Sequence, residues 1–392
     1  MADKLRVLTL NAISHAGLAL LPAERYQVGS QVVDPDAVLL RSADMHAMQV
    51  PATVKAVGRA GAGTNNIPVK AMSARGVPVF NAPGANANAV KELVLAGLLL
   101  AARNLVPAVR FVQGLQGSDE EMARLVEDNK KHYAGIELPN RTLGVIGLGR
   151  IGSLVADAAI KLGMHVLGYD PEITVEAAWS LPSTVKKANS IEEVLKSSEF
   201  VTLHVPLVPA TRHLISSERL GLMRHGAILL NFAREEVVDV DAVVDAVAGG
   251  RLKGYVCDFP SPRFAGHPGI VALPHLGAST REAEDNCAVM VVNQLRDYLE
   301  CGNVRNAVNF PDVVMQRESG YRVAIAHANV PNMLGQISTA MASAGLNIHN
   351  MLNKSKAEVA YTLVDADSPV GAEAVNALTS IKGVLAVRYL PA

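Results

Sequence analysis

The chain has 392 residues, of which 49% are hydrophobic and 19% charged, with a formal net charge of −1. That length calls for two or three domains with ample buried cores. A charge so near zero argues against nucleic acid as the main partner. No apolar run approaches the roughly 20 residues of a membrane span, so a membrane partner is not expected. The opening Met-Ala-Asp-Lys-Leu-Arg has no signal-peptide layout. Three widely spaced cysteines, Cys257, Cys287 and Cys301, make neither a metal set nor a disulfide framework. No bound metal is expected, and a reducing cytoplasm fits.

In chain order, short apolar strands are predicted over residues 5–10, 37–40, 54–57 and 77–80, joined by polar or helical connections. This is the pattern of a small parallel α/β unit. A long apolar helix over 90–102 leads out of it. Residues 142–275 repeat the alternation of strand and helix, and a helix over 280–299 runs back towards the first unit. A flexible-looking, Asn-rich linker at 301–312 follows. From Tyr321 the order becomes strand 321–326, helix 331–344, strand 346–350, strand 358–364, helix 371–380 and strand 384–389. That is βαββαβ, a ferredoxin-like layout in about 70 residues.

The second segment opens on Gly147-Leu-Gly149-Arg150-Ile151-Gly152, set between the apolar run 143–146 and a helix over 151–162. A strand over 165–169 then ends on Asp170, 18 residues past the last glycine. Gly147 permits the tight turn, Gly149 lets backbone approach a pyrophosphate, and Gly152 lets helix and strand pack closely. The helix start offers unpaired N–H groups to the phosphates. Asp170 accepts hydrogen bonds from ribose hydroxyls and repels a 2′-phosphate, while Pro171 and Glu172 supply no arginine to hold one. The cofactor is therefore read as NAD rather than NADP.

Three more segments follow apolar strands. They are His204-Val-Pro206-Leu, Asn231-Phe-Ala233-Arg234-Glu-Glu-Val-Val-Asp239 and Ala272-Leu-Pro274-His275-Leu-Gly-Ala-Ser279-Thr280. In a doubly wound sheet the carboxyl ends of the strands line one crevice, so Pro206, Arg234 and His275 should converge there. Oxidation of a 2-hydroxy acid needs a guanidinium fork for carboxylate and carbonyl. It also needs a base for the hydroxyl proton, a role suited to His.

Together these segments resemble the D-isomer-specific 2-hydroxyacid dehydrogenase family over nearly the whole chain. In the first unit Val57-Gly-Arg59-Ala-Gly-Ala-Gly63-Thr-Asn65 and Asn81-Ala-Pro-Gly84 match as well. The resemblance implies an α/β protein with a flavodoxin-like substrate domain made from both chain ends, residues 1–95 with 281–311. It implies a Rossmann-type doubly wound cofactor domain at 96–280, a C-terminal βαββαβ ACT domain at 319–392, and an active site in the cleft between the first two. His275 becomes the acid/base and Arg234 the substrate clamp. Arg150, Ile151, Asp170, Pro206, Ala233 and Asp258 become cofactor contacts. Arg41, Ser42 and Arg59 match positions that hold a substrate phosphate or carboxylate. This points to the branch of the family that oxidises 3-phosphoglycerate at the entry to serine synthesis. Relatives acting on glyoxylate, hydroxypyruvate, lactate or 2-oxoglutarate would share Arg234 and His275, and an NAD-sensing binding protein of the same fold is the alternative outside catalysis. His327, Asn329 and Asn347 match a set that binds L-serine between two domains of a homo-oligomer, although the two asparagines also suit plain turns and the whole unit could serve assembly alone.

One departure stands out. The family usually carries a Glu that hydrogen-bonds the catalytic His, within Asp-Val-Phe-x-x-Glu-Pro. Here the stretch reads Cys257-Asp258-Phe259-Pro260-Ser261-Pro262-Arg263, shorter and without Glu. The carboxylate that steadies an imidazolium is missing, and Arg263 would act in the opposite sense. No replacement is assigned from sequence.

Overall fold

The computed structural model describes residues 4–391. The chain forms two compact units, residues 1–86 with 281–392 and residues 87–280. The division falls at 86/87 rather than 95/96, because the helix Ala87–Ala102 packs wholly with the second unit.

The first unit contains the parallel strands β1 (Leu5–Thr9), β2 (Tyr26–Gly29), β3 (Ala37–Leu40), β4 (Ala56–Arg59) and β5 (Val79–Phe80) in the order β2-β1-β3-β4-β5. That is the flavodoxin-type order. Every residue of Ala37-Val-Leu-Leu40 is fully buried, as a central parallel strand covered on both faces must be. β4 lies two residues later than the expected 54–57, and this shift places Arg59 at its carboxyl end. The 21-residue helix Arg281–Cys301 covers one face of the sheet. Gly58 makes room for it, since a Cβ there would lie 2.7 Å from Leu295.

The second unit holds seven parallel strands, β6 (Thr142–Ile146), β7 (His165–Tyr169), β8 (Lys186–Lys187), β9 (Phe200–Leu203), β10 (Ala227–Asn231), β11 (Leu252–Cys257) and β12 (Ile270–Ala272). Their order, β12-β11-β10-β9-β6-β7-β8, reverses direction between β6 and β9. This is the switch point where doubly wound sheets bind their ligands. Helices Leu105–Gln113 and Asp119–Asn129, not anticipated from sequence, bury none of their residues.

The remaining strands are β13 (Tyr321–Ala328), β14 (Ile348–Lys356), β15 (Val359–Ala366) and β16 (Val384–Pro391), an antiparallel sheet ordered β14-β15-β13-β16 with two helices. This sheet, the region expected as the ACT domain over 319–392, shares a hydrophobic core with the first unit's parallel sheet through Ala324, Ala326, Tyr361, Leu363 and Leu390.

The segment 301–312 is also not the flexible linker its asparagines suggest. Gly302, Asn303, Val304, Ala307, Phe310 and Pro311 are buried, and Val304 pairs with Val313. Asn309 Oδ1 accepts from Val79 N at 2.8 Å, and its Nδ2 donates to Val77 O at 3.0 Å. The C-terminal sheet then takes up the carbonyls that end the long helix. Arg388 donates to Tyr298 O and Leu299 O, and its guanidinium lies 4.4 Å over the Tyr298 ring. Arg317 donates to Glu300 O and Arg322 to Cys301 O, satisfying groups that a helix otherwise leaves unpaired. Arg322 and Asp365 form a fully buried, bidentate pair at 2.6 and 2.8 Å. Removing one partner from such a pair costs about 3–5 kcal/mol.

Candidate active site

At the switch point the turn after β6 is set by backbone crowding. Gly147 has φ +94°, and a Cβ there would stand 2.6 Å from His204 O. At Gly152 a Cβ would lie 1.9 Å from Gly147 O, so the first turn of helix Arg150–Lys161 can close only on glycine. A Cβ at Gly149, by contrast, would meet nothing within 4 Å. The open space lies at the exposed start of the helix, beside Arg150, where a pyrophosphate would receive N–H groups. Asp170, directly after β7, accepts from Leu148 N at 2.8 Å and from Glu172 N at 2.9 Å. These bonds aim its carboxylate and leave lone pairs over for ribose hydroxyls. The residues present fit a dinucleotide.

The ends of the other strands shape the crevice further. After β9, Pro206 O accepts from Thr211 Oγ1 at 2.5 Å, fixing the loop. After β10, the fully buried Asn231 accepts from Ala233 N at 3.1 Å and donates to Arg234 O at 2.9 Å. Arg234 itself is exposed, with Nη1 donating to Ala233 O at 2.6 Å. After β12, His275 has φ +51°, a region that non-glycine residues seldom enter and that recurs at functional sites. Its N–H is shared by Asp258 O and Leu273 O, each at 3.0 Å, and its exposed ring stands edge-on to Phe259 at 5.3 Å.

Asp258 joins these segments. It is 3% exposed, Oδ2 accepts from Gly277 N at 3.3 Å, and Oδ1 is sealed without a partner. Burial raises its carboxyl above the usual range, while the His275 charge, the Gly277 N–H and Arg234 pull it back. Asp258 therefore lies within electrostatic reach of both His275 and Arg234, not of the cofactor site alone. Arg263 is turned to Asp241 at 3.2 Å, away from the opposing role its sequence position suggests.

Two residues here escape a reading from sequence. Asn231 opens its motif, but nothing in the type of a strand-end Asn reveals that its side chain staples the Arg234 loop. His204 is half-buried, with Nε2 3.0 Å from Thr202 Oγ1 and a sealed, unpartnered Nδ1. Burial pulls its pKa down to about 3.

In the first unit, Arg41, Ser42 and Arg59 do come together at the carboxyl edge of β3 and β4. Asn66 links them, accepting from Arg59 Nε at 3.1 Å and donating to Arg41 O at 3.1 Å. Asn11 accepts from Arg41 N and donates to Ser42 Oγ. Glu284 pairs with Arg41 at 2.8 Å. The result is a half-exposed patch with two guanidiniums and a hydroxyl.

In the C-terminal sheet the expected serine set is not gathered. His327 is 2% exposed and both ring nitrogens are engaged, at 2.8 Å from Ala328 O and from Thr362 Oγ1. It braces the turn rather than meeting a ligand directly, because β13 is covered on both faces at this position. Asn329 lies exposed at the far end of β13, donating to Ala357 O. Asn347 lies exposed at the start of β14, its carbonyl accepting from Asp367 N.

Residues 95–277 match the family described as D-isomer specific 2-hydroxyacid dehydrogenase, NAD binding domain. The chain belongs to the D-isomer specific 2-hydroxyacid dehydrogenases; it is an NAD-dependent oxidoreductase. It is 34% identical to the D-3-phosphoglycerate dehydrogenase of Haemophilus influenzae, over 86% of this chain and 81% of that one. It is 36% identical to the D-3-phosphoglycerate dehydrogenase of Methanocaldococcus jannaschii over 73% of this chain, spanning 54% of that longer protein. The crystal structure of the TT0316 protein from Thermus thermophilus superimposes with a TM-score of 0.63 at 29% identity, over 77% of this chain and 99% of that one.

Proposed function

We propose that the chain is a D-3-phosphoglycerate dehydrogenase, oxidising D-3-phosphoglycerate to 3-phosphohydroxypyruvate in the first step of serine biosynthesis. The observation that carries the substrate is the Arg41–Ser42–Arg59 patch, braced by Asn11 and Asn66. Two guanidiniums and a hydroxyl suit a phosphate, which glyoxylate and lactate lack. Both curated relatives cited above carry this activity in their names.

NAD, when bound, accepts the hydride from C2. Arg234 holds the substrate carboxylate and the oxygen on C2 in its planar fork, so that the carbonyl forms against positive charge. His275 takes the hydroxyl proton as the C2–H bond breaks. Its backbone, pinned to Asp258 O and Leu273 O, fixes where the ring stands. The buried Asp258, whose carboxyl is raised by burial and drawn back by the His275 charge, is the acid this chain places near the ring where the family's Glu is missing.

We read the C-terminal sheet as an ACT domain that takes L-serine. Asn329 and Asn347 adjoin opposite ends of β15, next to Glu358 and Asp367, so strand rise separates them by roughly 30 Å. One serine could touch both types of asparagine only across two copies, which supports a homo-oligomer. Exposed Val109 and Val112 on the helix Leu105–Gln113, which fully buries no residue, support the same reading. Three free cysteines fit a cytoplasmic setting.

The test is NADH production across a panel of 2-hydroxy acids. The expected result is a preference for D-3-phosphoglycerate that Arg59→Ala and Arg41→Ala weaken through KM, with little change for small unphosphorylated acids. Turnover of glyoxylate-type or lactate-type substrates alone would give the family another member's activity, and no turnover at all would favour an NAD sensor.

A further inference from the structure

In the first unit a cavity of about 690 Å³ lies on the outer face of the helix Arg281–Cys301. Helical spacing places it away from the Arg41 patch. Its residues on the helix recur at Asn286, Val289, Met290, Asn293 and Asp297, whereas Glu284, which holds Arg41, points to the other side at 100° per residue. Nothing in the dehydrogenase reading uses this cavity.

Its composition is unusual for a crevice left by imperfect packing. Ala85, Val289 and Met290 make an apolar part, while Asp297 and Arg305 bring one charge of each sign. Asp297 Oδ1 is held at 2.8 Å by Asn303 Nδ2, which fixes the carboxylate in place. Among the described residues Arg305 has no ion-pair partner. Gln294 gives the second, independent sign. It lines the cavity and is 5% exposed, yet neither Oε1 nor Nε2 has a hydrogen-bond partner. A carboxamide buried with all its hydrogen bonds unmade is costly, and native structures keep few of them. Its terminal torsion is soft, so the amide can turn to the cavity when a polar group arrives there. Packing alone would have been served better by Leu or Met at this position.

We propose that this cavity binds a free, zwitterionic α-amino acid with an unbranched apolar side chain. Arg305 takes the carboxylate and Asp297 the ammonium, the Gln294 carboxamide bonds the backbone end of the ligand, and the side chain lies on Val289 and Met290. This site is separate from the serine reading of the C-terminal sheet, and it stands or falls without the dehydrogenase assignment.

The experiment is calorimetry on the full chain with L-methionine, beside N-acetyl-L-methionine and L-methioninamide, which lack the ammonium and the carboxylate respectively. L-Methionine should bind, and each derivative should lose about tenfold or more in affinity, as the loss of one charge-assisted contact implies. Arg305→Ala, an exposed and foldable change, should cost a similar factor. Gln294→Met should lose binding while the chain unfolds at the same or a higher temperature. Asn347→Ala should bind L-methionine as the parent does, which keeps this result distinct from any serine effect. The proposal is overturned if millimolar L-methionine does not bind, if the blocked derivatives bind equally well, or if Arg305→Ala and Gln294→Met bind unchanged.

Discussion

The two parallel sheets end in loops rich in glycine, and what each glycine avoids is different. After β6 a Cβ at Gly147 or Gly152 would run into main-chain oxygen, at 2.6 and 1.9 Å. After β4 a Cβ at Gly61 would run into the Arg59 guanidinium, at 2.5 Å from Nη1. The first turn is shaped so that backbone N–H groups face the ligand, a device suited to a diphosphate. The second leaves space for a side-chain cation, a device suited to an anion at the end of a small substrate. One scaffold thus offers either its backbone or its side chains, and the position of glycine decides which.

The sharpest break in this contrast is at the acid/base. His275→Ala should lower turnover by about 100-fold or more and leave NAD binding intact, whereas Arg59→Ala should act mainly on KM. Steady-state kinetics with both variants would show it, and turnover of His275→Ala within a few-fold of the parent would sink the role given to the ring.

Next come the glycines themselves. Gly152→Ala drives a methyl into Gly147 O, so about 1–3 kcal/mol of stability should go, together with most NAD affinity. Gly61→Ala meets only the far end of a flexible side chain and should leave stability within about 0.5 kcal/mol while raising KM. Calorimetric unfolding and NAD titration of the pair decide; equal damage from both would erase the distinction.

The third effect is acid sensitivity on the backbone-built side. His204 has a pKa of about 3 when folded, against 6.5 for an ordinary His. Between those values the unfolded chain takes up a proton that the folded one refuses. Stability is whole above about pH 6.5 and drains as pH falls towards 3, by up to about 1.4 kcal/mol per pH unit from this group. His204→Gln should flatten that slope, read as protection of β6 and β9 amides against pH. An unchanged slope would place the acid lability elsewhere.

The smallest effect is selectivity. Asp170→Ala removes an acceptor for the ribose hydroxyls and the repulsion of a 2′-phosphate, so the ratio of NAD to NADP efficiency should fall by about tenfold, as loss of a single charged hydrogen bond implies. Loss of the Leu148 N–H bond should also weaken NAD itself. An unaltered ratio would mean that another residue reads the ribose.

Legibility in the sequence follows burial. β3 is placed to the residue, at 37–40, because all four of its side chains are buried between two layers, which writes an unbroken apolar run. β2 escapes notice because it is an edge strand with one buried residue in four. Helices Leu105–Gln113 and Asp119–Asn129 fully bury no residue, which leaves them outside the apolar runs; the half-buried stripe Met122, Leu125, Val126 and the Ser118–Glu121 capping box are nonetheless there to be found. At the site, residue types and strand-end positions are visible, while side-chain direction is not. His327 has the right type for a ligand contact and points inward. Asn303 and Asn309 look like turn formers and are buried or half-buried struts, the first accepting from Met315 N and the second bonding along β5.

The shared core of the first unit sets an order on biogenesis. Its cluster runs from Val7 through Phe80 and Leu295 to Tyr361 and Leu390, so a nascent amino-terminal sheet waits for partners almost a full chain length away. Residues 87–280 form a compact unit from one continuous stretch of chain, so its own core is available much earlier. Domains complete in sequence can fold during synthesis, and distant closures come late and slowly. Pulse proteolysis during refolding should find 87–280 resistant before β1 to β5. Until β13 and β16 arrive, the terminal carbonyls of the helix Arg281–Cys301 lack their arginines, and strands β1 to β5, which precede residues 87–280 in the chain, are secured after them.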